Sequence, residues 1–469
     1  MPSNEPPQLQ LELREGAEAT PSDALEAVVF RPIHYLGSKL RLASAIADAL
    51  DSADATRGTV LDLFAGSGTT ALALAGHRRV IASDIQEYSR VICSALLASR
   101  SADSDIVSTF AARLQAGSPR LDALRQAVEP LVQFERDALH AAKHGETDAI
   151  CLVLEHGSIL AAERGVASGS SELQSRLKEV AKRMKLAGLA GSPLATTVRY
   201  FGGAYFSYAQ AVELDCLAAL AYEAMPSALT DVFTAALLST ASDTVNTVGK
   251  QFAQPIRPRN KQGVVKQHLL AKIDRDRHLD VRTKYMTWLQ RYALHRTRGT
   301  GHVVARADYR EALTQFAGQY SVVYADPPYT RDHYSRFYHV LETMARRDNP
   351  SIARSPGSSD DELSRGLYRD DRHQSPFCIR SQAPGAFRDL FRLASQTGAQ
   401  MVVSYSPFQS GAHPRLMQID ALLSLARDFY KSVELESVDG VSHSKLNHSS
   451  LNFDMPPEAE VLIVCRLRR

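Results

Sequence analysis

Cysteine is scarce in this chain: five residues in 469, at Cys93, Cys151, Cys216, Cys378 and Cys465, with no C-x-x-C pair among them. That spacing speaks against a zinc site or a disulfide framework, so no metal is expected and a reducing cytoplasm fits. Long apolar runs are missing as well. None approaches the length that crosses a bilayer, and the N-terminus lacks the charged and apolar parts of a signal peptide. No membrane partner is expected. An excess of charge of one sign is also absent, since the formal net charge is only +2. Any affinity for a polyanion must therefore come from where the charges sit. No internal repeat is visible. The length exceeds that of one typical domain and suits either two domains or one with a large insertion.

The charges are unevenly placed. Residues 1–28 are rich in Pro, Glu and Ser and poor in large apolar side chains, which predicts a disordered acidic tail. Between Lys250 and Thr300 there are roughly thirteen Lys and Arg against three Asp, with Tyr285, Trp288 and several His interleaved. A charge run is usually a solvated helical face. An excess this local favours a nucleic-acid contact surface instead, with Arg257, Arg259 and Lys261 as the expected phosphate contacts.

The strands carry the next signal. "GTVLDLFAGSGTTALALAG" (Gly58 to Gly76) reads as a short apolar strand, a glycine turn and a helix, the first βα unit of a Rossmann-like sheet. Gly66 and Gly68 permit a tight turn and close approach to a ligand. "RVIASDI" follows as a second strand ending on Asp84, where an acid is placed to accept from both hydroxyls of a ribose. By themselves these residues also suit a dinucleotide fingerprint, and NAD stays open. Asp62, at the strand end ahead of the glycines, can accept from an amino group; a phosphate would gain nothing from it. Further strands are expected at "GHVVARADYREAL", ending near Asp308, at "YSVVYADPP", at "AQMVVSYS", and in a final pair, "YKSVELESV" and "EAEVLIVCRL", able to form a hairpin.

"YSVVYADPPY" is the most informative stretch. A buried strand stops on Asp326, then Pro327 and Pro328, neither of which has an N–H to donate to a sheet, and then Tyr329. A rigid turn with a surface tyrosine explains the prolines but not an acid leaving a buried strand.

Together "DLFAGSGTT" and "DPPY" resemble the S-adenosylmethionine-dependent amino methyltransferases that act on DNA. "HYLGSK" (His34 to Lys39), upstream of both, is similar to the cofactor motif that precedes the glycine loop in one order class. The order of lysine motif, glycine loop, long insertion and Asp-Pro-Pro-Tyr resembles that of the Dam-type N6-adenine methyltransferases. The matched motifs span about residues 31 to 100 and 300 to 469. The middle departs from the pattern: "RYFGGAYFSYAQA" (Arg199 to Ala211) occupies the place of the family's F-N-x-P-[FY]-G element without matching it, so the target sequence is not carried over. "HYSRFYHVLETM" looks more like the modification enzymes of restriction systems.

The resemblance implies an α/β fold: a Rossmann-like, seven-stranded methyltransferase sheet formed by 29–100 and 301–469, with a large, mainly helical insertion at 101–300 that includes target recognition. It implies S-adenosylmethionine as cofactor, held by Tyr35, Gly37, Ser38, Lys39, Asp62, Phe64, Ala65, Gly66, Gly68, Asp84, Ile85 and Asp326. Asp308 is either an acceptor for the cofactor's adenine or a plain helix N-cap. The catalytic set is Asp326, Pro327, Pro328 and Tyr329. The amine of adenine is a poor nucleophile; acceptors at Asp326 and the Pro327 carbonyl would draw its lone pair toward the methyl group, while Tyr329 offers a flat face to a base swung out of the duplex. Tyr334 and His339 are candidates to flank the target base, although Tyr334, Phe337, Tyr338 and Leu341 recur at helical spacing and default to core packing. "RGLYRDDRHQSPFC" (Arg365 to Cys378) is a candidate DNA-contacting loop.

The expected function is therefore N6-adenine methylation of double-stranded DNA, in restriction–modification or phage defence, with proteins of such a system as possible partners. N4-cytosine methylation is the nearest rival. From another class, a catalytically idle DNA-binding subunit competes, and the intact motifs argue against it.

Overall fold

Seven segments form one mixed sheet: Val60–Asp62 (β1), Val80–Asp84 (β2), Val303–Arg306 (β3), Val322–Ala325 (β4), Gln400–Tyr405 (β5), Ser432–Ser437 (β6) and Val461–Arg466 (β7). Their spatial order is β3-β2-β1-β4-β5-β7-β6. Strands β1 to β5 are mutually parallel, and β7 runs antiparallel to both its neighbours, β5 and β6. The expected terminal pair does form, with β7 slotted between β5 and β6. The computed structural model describes residues 30–35, 39–98, 104–223, 225–297, 299–329, 334–354, 363–406, 416–438 and 460–467. The acidic tail expected at 1–28, and Gly37 and Ser38 of the lysine motif, lie outside them.

The apolar runs read as strands are apolar because both faces of the sheet are covered. One row in register, Ile81, Leu61, Val323, Met401 and Cys465, faces a core shared with Phe387, Leu390 and Phe391 of the helix Ala383–Gln396. The next row points to the opposite face. It places Asp62 directly beside Tyr324, with Ala82 and Val402 on either side.

Between β2 and β3 the described residues are mainly helical. The helix Thr230–Thr244 packs on Val281–Leu294 and also on Glu87–Cys93, the helix that follows β2. Tyr285, Trp288 and Tyr292 are the buried side of Val281–Leu294, so the aromatics of the basic run are core residues and not stacking platforms. No helix of the described residues is long and apolar enough to cross a membrane.

Candidate active site

Parallel strands deliver their following loops to one edge, and here β1, β2 and β4 end side by side. Asp62 closes β1. The turn after it contains Gly66 at φ +54° and Gly68 at φ +73°, backbone that favours glycine. A Cβ at Gly66 would stand 2.6 Å from the Tyr35 hydroxyl, whereas one at Gly68 would meet Leu96 at 3.1 Å and Cys93 at 3.2 Å. The absence of a Cβ at Gly68 thus lets Leu96 and Cys93 close on the turn. Asp84 closes β2, and its carboxylate accepts from the N–H of Gly66 and of Gln86, both at 2.9 Å. Burial raises its pKa, and those bonds oppose the rise.

Asp62 is different. It is almost fully buried, and neither carboxylate oxygen has a hydrogen-bond partner. Burial, then the charges of Asp326 and Asp84, push its pKa up to about 8, against a weak opposing pull from the Phe64 amide. The hydroxyl of Tyr324, its neighbour in the sheet, is also buried without a partner. Unpaired polar atoms of this kind are costly, and three on one sheet face make a polar environment that a polar ligand could satisfy. A cationic amine together with an acceptor for the tyrosine proton would satisfy them.

Asp326 follows β4 and anchors a chain of charge. The Lys39 ammonium lies 3.2 Å from its carboxylate and 2.5 Å from Glu460 Oε1. The same glutamate oxygen accepts from the Tyr329 hydroxyl at 3.0 Å and from Ser404 Oγ at 2.9 Å. Burial alone would lower the Lys39 pKa, but Asp326 and Glu460 raise it overall, so the lysine stays charged. Burial raises Asp326, Lys39 lowers it and Glu460 raises it again, leaving it at about 6. The ring of Tyr329 meets Tyr405 edge-on at 5.1 Å.

One cavity gathers most of the residues singled out in the sequence: Tyr35, Lys39, Phe64, Ala65, Asp84, Ile85, Asp326, Pro327, Pro328, Tyr329 and Tyr334. Tyr324, Ser335, His373, Ser375 and Cys378 also line it. Asp62, Gly66 and Gly68 adjoin these lining residues in the chain or the sheet without lining the cavity themselves. Asp308 lines an adjoining recess with Phe64, Asp84, Ile85 and His373. It is also an N-cap, since its side chain accepts from the N–H of Arg310 and Glu311 in a capping box. Tyr35 stacks on Tyr338 at 4.9 Å, and Tyr338 packs on Tyr88. His339 does not flank the cavity. It is fully buried against Tyr205 and the Phe252 carbonyl.

The basic run is split. Arg257 and Lys261 are exposed. Arg259 is engaged by Asp148 at 3.0 Å and by Glu155. Arg277 is buried on Glu135, and Lys250 and Lys272 both pair with Asp276. Much of the local positive excess is thus consumed inside the fold.

Two contributors are not singled out by the sequence. Tyr324 reads as one more apolar strand residue, although its alternation with Val323 places it on the face of Asp62. Glu460 is visible only as an acid opening an apolar strand. His373 belongs to the stretch Arg365 to Cys378 expected to lie near the active face, and it lines the cavity.

Residues 35–127 match the model of the D12 class N6 adenine-specific DNA methyltransferases. The matched stretch holds Tyr35, Lys39, Asp62, the glycine turn and Asp84. The modification methylase LlaI of Lactococcus lactis subsp. lactis is 34% identical over 145 residues, 30% of this chain. The chain covers 19% of that relative's length. No solved structure matches. The family match and the relative both support the N6-adenine DNA methyltransferases as the family that the motifs resemble.

Proposed function

We propose that this chain transfers a methyl group from S-adenosylmethionine to the N6 amine of adenine in double-stranded DNA. The observation that carries the reading is the meeting, in one cavity, of the Asp326-Pro327-Pro328-Tyr329 corner with the loops that follow β1 and β2. The sheet is read as the Rossmann-like sheet of such enzymes, with 29–100 and 301–469 as the catalytic domain and 101–300 as the insertion.

The residues fit the cofactor. Asp62 and Tyr324 offer unpaired polar atoms to its amino-acid end, and Asp84, Ile85 and Phe64 lie between that end and the recess of Asp308. S-adenosylmethionine, when bound, supplies a methyl group on a positively charged sulfur. The chain does the rest. Asp326, at about 6, is ionised near neutral pH and accepts one amine hydrogen, and the carbonyl of Pro327 accepts the other. The two prolines fix the spacing of these acceptors, so the lone pair is aimed without reorganisation. Lys39 keeps Asp326 ionised, and Glu460 holds both Lys39 and the Tyr329 hydroxyl in place. Tyr329 and Tyr334 provide aromatic surface for a flipped base.

The name of the relative, a modification methylase, favours a restriction–modification role. A cytoplasmic setting and partner proteins from such a system follow from that role. The test is mass spectrometry of digested DNA after incubation with enzyme and cofactor. N6-methyladenine is expected. N4-methylcytosine would move the enzyme to its chemical rival, and no methylated base would leave a DNA-binding subunit.

A further inference from the structure

We infer that Arg257, Arg336, Arg365 and Arg372 form a phosphate-binding patch that grips the backbone of duplex DNA beside the cavity. The inference rests on the DNA-methylating reading above and locates the substrate contact that the basic run was expected to supply.

The four arginines converge from three stretches of chain. The guanidinium groups of Arg336 and Arg372 stand over the ring of Tyr368, at 5.1 and 5.0 Å from its centroid. Arg336 Nε also donates to the Tyr368 hydroxyl at 3.2 Å, and that hydroxyl donates to the carbonyl of Ala253. Arg365 donates to the Ile256 carbonyl at 2.7 Å, one residue from Arg257. Among the described residues none of the four has a carboxylate at ion-pair distance. Glu155, which acts on Arg365, is engaged by Arg259, and Asp371, next to Arg372 in the chain, by Arg369 and Arg346. Elsewhere Arg90, Arg199, Arg277 and Arg369 each rest on a carboxylate.

Such an arrangement is unfavourable by itself. Burial lowers the pKa of Arg365, and neighbouring Arg257 lowers it further; burial and Arg336 act likewise on Arg372. Leu367, between Arg365 and Tyr368, is held at φ +51°, a strained backbone for a branched side chain. Like charges kept together at such cost are stabilised by an anion placed among them. The Nε of Arg336 is taken by the Tyr368 hydroxyl and that of Arg372 by the Arg369 carbonyl at 2.8 Å, which leaves the outer Nη groups of both guanidiniums to meet the oxygens of a phosphate.

Position selects the anion. Arg336 follows Ser335 and Arg372 precedes His373, and both of those neighbours line the cavity. A base that enters the cavity brings the phosphates on either side of it to this rim.

The experiment measures duplex affinity against salt for the wild type, for Arg336→Gln with Arg372→Gln, and for the matching Lys pair. The Gln pair is expected to flatten log affinity against log salt by about 0.9 per lost contact, equally for all sequences, while the Lys pair keeps most of the slope. An unchanged slope in a folded Gln pair overturns the inference and leaves the patch to an acidic protein. Should the Gln pair not fold, exposed Arg257→Gln is read in the same way. The two readings separate cleanly. An unchanged slope with N6-methyladenine still formed by the wild type removes only the patch. A flattened slope with no methylated product keeps the patch and removes the activity.

Discussion

Lys39 stands 3.2 Å from Asp326 although 287 positions separate them, and a buried glutamate holds the lysine from behind. The lysine is therefore part of the setting of the reactive carboxylate, which its place in a cofactor motif did not suggest.

This relationship gives a signed pH prediction. Asp326 must be ionised to accept from the amine, so kcat/KM should fall as pH drops through about 6. Lys39 lowers that pKa and Glu460 raises it. Lys39→Met should move the acid limb to higher pH, and Glu460→Gln should move it to lower pH. A pH series on a duplex oligonucleotide reads both, and shifts of the same sign would refute the arrangement.

Asp62 carries a trade between stability and binding. Its pKa is raised from an ordinary carboxylate value to about 8. The destabilisation is absent below about pH 4, where folded and unfolded forms are both protonated, and grows to its full size as pH rises through about 8. Asp62→Asn should therefore raise the melting temperature more at about pH 8 than at about pH 5. Calorimetry should show S-adenosylmethionine binding weakened about tenfold or more, roughly 1.4 kcal/mol. Stabilisation without lost affinity would show that the orphaned carboxylate serves no ligand.

Asp326→Ala should reduce methyl transfer by at least about 10²-fold, the scale for removing one aimed polar group, with duplex binding nearly intact. Tyr329→Ala should lose roughly 1–3 kcal/mol of stacking on the extruded base. Tyr329→Phe should keep the stacking and lose the bond to Glu460, on the order of 1.5 kcal/mol. Single-turnover rates and filter binding separate these effects. An active Asp326→Ala would place the chemistry elsewhere.

Arg259→Gln provides a contrast with the arginines of the cavity rim. Because Arg259 is spent on Asp148 and Glu155, its loss should lower unfolding stability by up to about 1 kcal/mol and leave the salt slope of DNA binding unchanged. Denaturant melts and a salt titration check the two halves.

What the sequence disclosed and what it hid have a common physical basis. Strand-end acids, paired prolines and glycine turns are local signals, because backbone geometry demands particular residues at particular offsets. Asp62, Asp84 and Asp326 were legible for that reason. Glu460 was not, since its partners Lys39 and Tyr329 lie hundreds of positions away. Arg259 and Arg277 misled the charge count for the converse reason. Their carboxylates, at Asp148, Glu155 and Glu135, come from helices far upstream. Arg257 and the stretch holding Arg365 and Arg372 were each legible as DNA contacts, but their convergence with Arg336 was not, because the four arginines are spread over 116 positions.

The placement of β7 between β5 and β6 has a consequence for synthesis. Residue 460 leaves the ribosome after Lys39, Asp326 and Tyr329 have all been made, yet the three depend on its carboxylate. Until β7 pairs with β5, the lysine lacks its rear anchor and the tyrosine hydroxyl its acceptor. A nascent chain can thus present a complete cofactor turn and a complete Asp-Pro-Pro-Tyr corner while its reactive carboxylate is still unset. The last strand thus completes a site whose other parts were made long before it.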